Sequence, residues 1–119
     1  MYKSHKVSFK SYASYITQNI LSSKTKNIWI IFHGYGQLSK FFIRRFDILD
    51  KKENYIIAPQ GLSKFYTDKD YQNVGASWLT REDKNIDFKS QLSYLNSVIA
   101  EISSKVKMNN YKINLFGFS

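Results

Sequence analysis

The chain has 119 residues, enough for one domain with a sizeable core and too few for two. Its 43% hydrophobic and 17% aromatic content excludes a disordered chain, and 5 Gly with 1 Pro excludes linker-like or collagen-like composition. Zero cysteines exclude disulfides, thiolate metal sites and cysteine nucleophiles. A net charge of +9 raises nucleic acid as a partner, but the basic residues are scattered and only 3 of the 18 are Arg. We read them as a solvated lysine surface with no specific nucleic-acid role, able at most to attract anionic substrates or membrane surfaces non-specifically.

Residues 6–9 and 15–21 are short β-prone runs and predict an opening antiparallel hairpin. Neither the start nor any later run has the apolar length of a signal peptide or of a membrane helix, so a cytoplasmic protein without a transmembrane segment is expected. Ile28-Trp29-Ile30-Ile31-Phe32 is a continuous apolar run between polar residues and Gly34, the signature of a strand buried on both faces. Ser39 offers an N-cap to a helix carrying Phe42, Phe46 and Leu49 and ending near residues 50–52. Residues 55–58 form a second buried strand, stopped by Pro59 and Gly61.

Residues 60–84 show no sustained period, and a loop of that length in a compact domain is often functional. Residues 85–107 predict a helix with one apolar stripe of Phe88, Leu92, Leu95, Ile99, Ile102 and Val106. Asn109-Asn110 signals a turn, and residues 113–116 are the last strand. The expected fold class is therefore α/β, a mainly parallel sheet with flanking helices, built as a β-hairpin start followed by βαβαβ.

Two sites stand at the ends of buried strands, where ligands of open α/β sheets bind. His33-Gly34-Tyr35-Gly36-Gln37 turns sharply after the first buried strand. Its amides are candidates to stabilise an oxyanion, and the alternative is a plain glycine turn. G-x-G lacks the third glycine of a dinucleotide phosphate loop. Gly117-Phe118-Ser119 ends the last strand and matches the first half of a G-x-S-x-G nucleophile elbow. Arg81-Glu82-Asp83 reads as a solvated turn, and two isolated histidines without paired carboxylates make no metal site.

The segments WIIFHGYGQ, IIAPQG, GASWLTRED and INLFGFS, in this order, resemble the carboxylesterase/phospholipase, or serine esterase, branch of the α/β-hydrolase superfamily. The resemblance covers about Asn27 to Ser119. It implies that Ser119 is the nucleophile that becomes acylated and that the backbone N–H of Tyr35 is one oxyanion donor. Gly34 and Gly36 match the turn glycines of the substrate site, and Phe65 and Trp78 are candidates to line its pocket. The His33 ring is implied to be structural, tied into the loop, with catalysis by His33 or His5 disfavoured. No cofactor and no metal is implied, and the partner is a small-molecule ester.

In this family the triad Asp or Glu and the His follow the Ser, as does the second oxyanion donor. Residues 1–119 are then a single incomplete domain, truncated at the elbow. The full-length parent is expected to hydrolyse carboxylic esters or thioesters through an acyl-serine, and this chain alone to be inactive. Short-chain esters, lysophospholipids and acyl thioesters stay open as substrates. A non-enzymatic α/β binding module or a gene remnant is the alternative. The last strand is expected to be an exposed edge that favours aggregation.

Overall fold

The computed structural model describes residues 1–118. The order of elements is β1 (Tyr15–Gln18), β2 (Asn27–Phe32), α1 (Ser39–Phe42) running into a 3-10 turn (Ile43–Phe46), and β3 (Asn54–Pro59). Then follow β4 (Ser63–Tyr66), β5 (Val74–Ser77), α2 (Lys84–Ser103), a second 3-10 turn (Met108–Asn110) and β6 (Lys112–Gly117).

The strands form a four-stranded sheet of order β1-β3-β2-β6 and a separate two-stranded sheet of β4 and β5. β3 and β6 both run parallel to β2, whereas β1 is antiparallel to β3 and β4 is antiparallel to β5. This overturns the expected fold class. The main sheet is mixed, the second sheet is antiparallel, and only two α-helices occur among the described residues, of 4 and 20 residues. The result is a small mixed α/β domain in place of a mainly parallel sheet built as a hairpin start followed by βαβαβ.

The opening hairpin is absent because residues 6–9 join no strand and β1 pairs elsewhere, with Tyr15 opposite Pro59 and Gln18 opposite Ile56. The physical reason lies in β3. All six of its residues are buried, so both its edges and both its faces need partners. β2 satisfies one edge and β1 the other.

Two apolar clusters sandwich the main sheet. Ile28, Ile30, Tyr55 and Ile57 pack against Val98 and Ile102 of α2. On the opposite face Ile31, Ile56 and Ala58 pack against Phe42, Ile43 and Phe46. The first helix is a single turn capped by Leu38 rather than Ser39. The Ser39 amide and hydroxyl instead both donate to Gln60 Oε1, at 3.0 and 2.9 Å.

α2 is rotated from the expected stripe: Gln91, Val98 and Ile102 are its buried residues, while Phe88, Leu92 and Ile99 stay exposed. Two hydroxyl contacts fix this rotation. Tyr94 donates to the Ser14 carbonyl at 2.8 Å and accepts from the Gln60 amide at 2.9 Å. Tyr15 donates to Glu101 at 2.6 Å, which sets that flank of α2 over β1. The flank with Phe88, Leu92 and Ile99 therefore lies on the β6 side of the sheet. There Ile113 and Leu115 of β6 are exposed as well. No helix among the described residues is long and apolar enough to cross a membrane.

Candidate functional site

The loop His33-Gly34-Tyr35-Gly36-Gln37 leaves the carboxyl end of β2, and Gly117-Phe118 leaves the carboxyl end of its parallel neighbour β6. Phe32 stands opposite Gly117, and the Phe118 amide donates to the Phe32 carbonyl at 3.2 Å. A Cβ on Gly34 would lie 2.8 Å from the Phe118 ring and 3.2 Å from the Phe118 carbonyl oxygen. The ring and carbonyl of Phe118 thus rest against Gly34. Ser119 itself lies outside the described residues.

The loop is held by backbone bonds to β5 and by the side chains of His33, Gln37 and Trp78. The Gly34 amide donates to Gln37 Oε1 at 2.6 Å, and the Gln37 amide to the Gly34 carbonyl at 3.1 Å. Gly36, at φ +75°, donates to the Ala76 carbonyl at 2.9 Å. The Ala76 amide returns a bond to Gln37 at 3.0 Å, so Gln37 and Ala76 form an antiparallel bridge. The β4–β5 ribbon, which lies in the segment read as an unstructured loop, is therefore what clamps this turn. Among the described residues the Tyr35 amide has no acceptor, although the amides of Gly34, Gly36 and Gln37 are engaged. The Tyr35 side chain is 76% exposed and lies against the Phe65 ring at 5.3 Å.

Beneath the loop sits His33, 1% exposed. The Gly61 amide donates to its Nε2 at 2.9 Å, so Nε2 carries the lone pair. Nδ1 must then hold the proton, which it directs at the Gly34 carbonyl 2.9 Å away. Gly61 admits this approach because a Cβ there would lie 3.1 Å from the imidazole. The Trp78 indole covers the other side. Its ring lies 4.9 Å from that of His33, and its N–H donates to the His33 carbonyl at 2.8 Å. Gly34, Tyr35, Gly36, Phe65 and Trp78 are thus gathered around one turn. Gln37, Gln60, Gly61, Gly75 and Ala76 support it; sequence reasoning places Gln37 in the turn without a role and assigns the other four no role in the site. The signal that could have found them is the pair of glycines Gly61 and Gly75 flanking a stretch with no period.

Burial lowers the His33 pKa below its ordinary value of 6.5, against a smaller opposing effect of the Gly34 carbonyl. Protonation would also turn Nε2 into a donor facing the Gly61 amide. The sign follows: the unfolded chain takes up a proton before the folded one, so stability is full above about pH 6.5 and falls as pH drops through the lower folded pKa. His33→Gln should remove this acid-side slope. Urea unfolding at a series of pH values checks it, and an unchanged slope in His33→Gln would assign the effect to the carboxylates.

Among the described residues no group of three or more His, Cys, Asp or Glu is placed to hold a metal. A groove of about 770 Å³ between residues 9–15 and α2, lined in part by Ser90, Ser93 and Ser97, includes no residue of the loop. No protein-family model matches the chain, and no curated protein matches it.

Proposed function

We propose that the chain supplies the nucleophile and one oxyanion donor of a serine esterase acting on carboxylic esters or thioesters in the cytoplasm. One observation carries this reading. Between the engaged amides of Gly34 and Gly36, the Tyr35 N–H is left without an acceptor among the described residues, on the loop that abuts the Phe118 carbonyl.

In this reading Ser119 Oγ attacks the acyl carbon, the carbonyl π electrons move to oxygen, and the Tyr35 N–H donates to the resulting oxyanion. Collapse expels the alcohol or thiol and leaves an acyl-serine, which water then hydrolyses. The loop needs no reorganisation to act, since its shape is fixed by bonds already formed to Ala76 and Gln37. The proton of Ser119 must go to a base other than His33, whose Nε2 lone pair is occupied by Gly61. His5 lies in the exposed segment 1–14. The reading therefore assigns the base and its carboxylate to residues outside these 119, and catalysis to a protein that contains them.

The test is labelling by a fluorophosphonate and hydrolysis of p-nitrophenyl acetate by the product of the whole reading frame, read to its stop codon, beside the 119-residue chain. The whole product should react, the 119-residue chain should not, and Ser119→Ala should lower turnover by about 10⁴-fold or more. Labelling that survives Ser119→Ala, or a whole product inert to esters and thioesters, would sink the reading.

A further inference from the structure

The short helix and 3-10 turn that bury Phe42, Ile43 and Phe46 also have an outer side. Phe41 is 53% exposed there, with Lys40 Nζ and the Arg44 guanidinium each 5.1 Å from its ring centroid. One further turn along, Ile48 is 90% exposed. Arg45 lies beside them, over the rings of Phe42 at 5.4 Å and Phe118 at 4.9 Å. Lys51 and Lys52 follow in the next turn, both exposed.

These five cations have few opposing charges. Asp47 accepts from the Gln18 side chain, and Asp50 accepts from the amides of Lys52 and Glu53. The ion pair found among the described residues, Lys26 with Glu53, involves none of the five. Two carboxylates against five cations leave this segment at +3, with an aromatic and an aliphatic tip standing among the charges.

Such a surface satisfies one kind of partner on both counts. Cations are drawn to a negatively charged surface within a Debye length. Phe41 and Ile48 gain only from a partner that is apolar just below that surface. Nucleic acid would meet the charges but offers nothing to Ile48. Long basic stems flanking apolar tips also suit a headgroup layer, where the stems lie along apolar matter and the charged ends stay hydrated. We propose that the outer side of residues 40–52 is a docking surface for an anionic lipid bilayer, bound peripherally with Phe41 and Ile48 inserted at the headgroup boundary. This does not rest on the esterase reading, and its test does not use activity.

The test is flotation of the 119-residue chain with vesicles of phosphatidylcholine, with and without phosphatidylserine; aggregates sink and bound protein rises. Flotation should require phosphatidylserine and decline with added salt. Lys40→Gln with Arg44→Gln should weaken partition by about fivefold per residue. Phe41→Ser with Ile48→Ser, which leaves the charge unchanged, should weaken it by about tenfold. All four positions are exposed, and unchanged near-ultraviolet dichroism of Trp29 and Trp78 verifies folding. Equal flotation with phosphatidylcholine alone overturns the proposal. So does indifference to the Phe41 and Ile48 substitutions, or displacement by duplex DNA that is equally indifferent to them, which would reassign the patch to polyanions.

Discussion

Gly75→Ala should cost about 3 kcal/mol or more of unfolding free energy, at the upper end of overpacking effects. The added methyl would sit 2.2 Å from the Gly36 carbonyl oxygen, 2.5 Å from its carbon and 2.7 Å from its Cα. Every one of these is a backbone atom, so no rotamer change relieves the clash. Either β5 leaves β4 or the turn after β2 lifts off β5. Both routes break the two bonds that bridge Gly36 and Gln37 to Ala76.

Gly36→Ala is the calibrating variant. Nothing lies within 4 Å of its would-be Cβ, and only its φ of +75° opposes the change, at about 1 kcal/mol. Urea unfolding at low micromolar protein separates the two. Equal costs would mean that the close approach of β5 to the turn does not hold in solution.

The chain should also self-associate with rising concentration, and Leu115→Lys should weaken that association by about tenfold or more. β6 pairs with β2 along one edge and has no strand along the other among the described residues. Leu115 is 71% exposed on that strand, and exposed Phe88, Leu92 and Ile99 of α2 extend the apolar area beside it. A lysine in the strand puts a charge where a second sheet edge would have to dock. Ser90→Lys, the same charge change on the opposite flank of α2, should leave association unaltered. Sedimentation velocity across a concentration series reads both variants. A monomer at all concentrations, or equal effects of the two lysines, would show that the edge is not what joins the copies.

The strands of the main sheet that carry continuous apolar runs were legible in the sequence because nothing competes with a run such as Ile28-Trp29-Ile30-Ile31-Phe32 bounded by polar residues. β2, β3 and β6 each begin within one residue of where the apolar runs begin. The ribbon was not legible. Ser63-Lys64-Phe65-Tyr66 is largely exposed and shows no alternation, and Gly75 inside β5 looks like a strand breaker. Its presence is explained only by the backbone of Gly36 lying against it, a contact between residues far apart in sequence.

The opening hairpin fails for the converse reason. Residues 6–9 have β propensity, but propensity does not choose a partner, and β1 is claimed by the fully buried β3. In α2 the period was right and the buried face was not. Spacing identifies which residues share a stripe, while the hydroxyls of Tyr94 and Tyr15 decide which stripe meets the sheet. At the site, the residues assigned roles from the motifs gather on one turn, but many of the bonds that shape it come from other residues of the same segments, Gln37, Gln60, Gly61 and Ala76, none of which has distinctive chemistry by itself.

The turn after β2 is fastened by its own amides and by the His33 and Gln37 side chains while Tyr35 takes no part, so its tolerance of change is uneven along five consecutive residues. The Tyr35 side chain is exposed and lies against Phe65, so drift at this position can alter what approaches the turn without altering its shape. Gly34 has no such freedom, hemmed in by Phe118 and the Gln37 amide group, and His33 is bound at both ring nitrogens. Natural or laboratory variation that retunes this molecule should therefore accumulate at 35 and 65, while 33, 34 and 75 stay fixed: a rigid frame carrying one replaceable face.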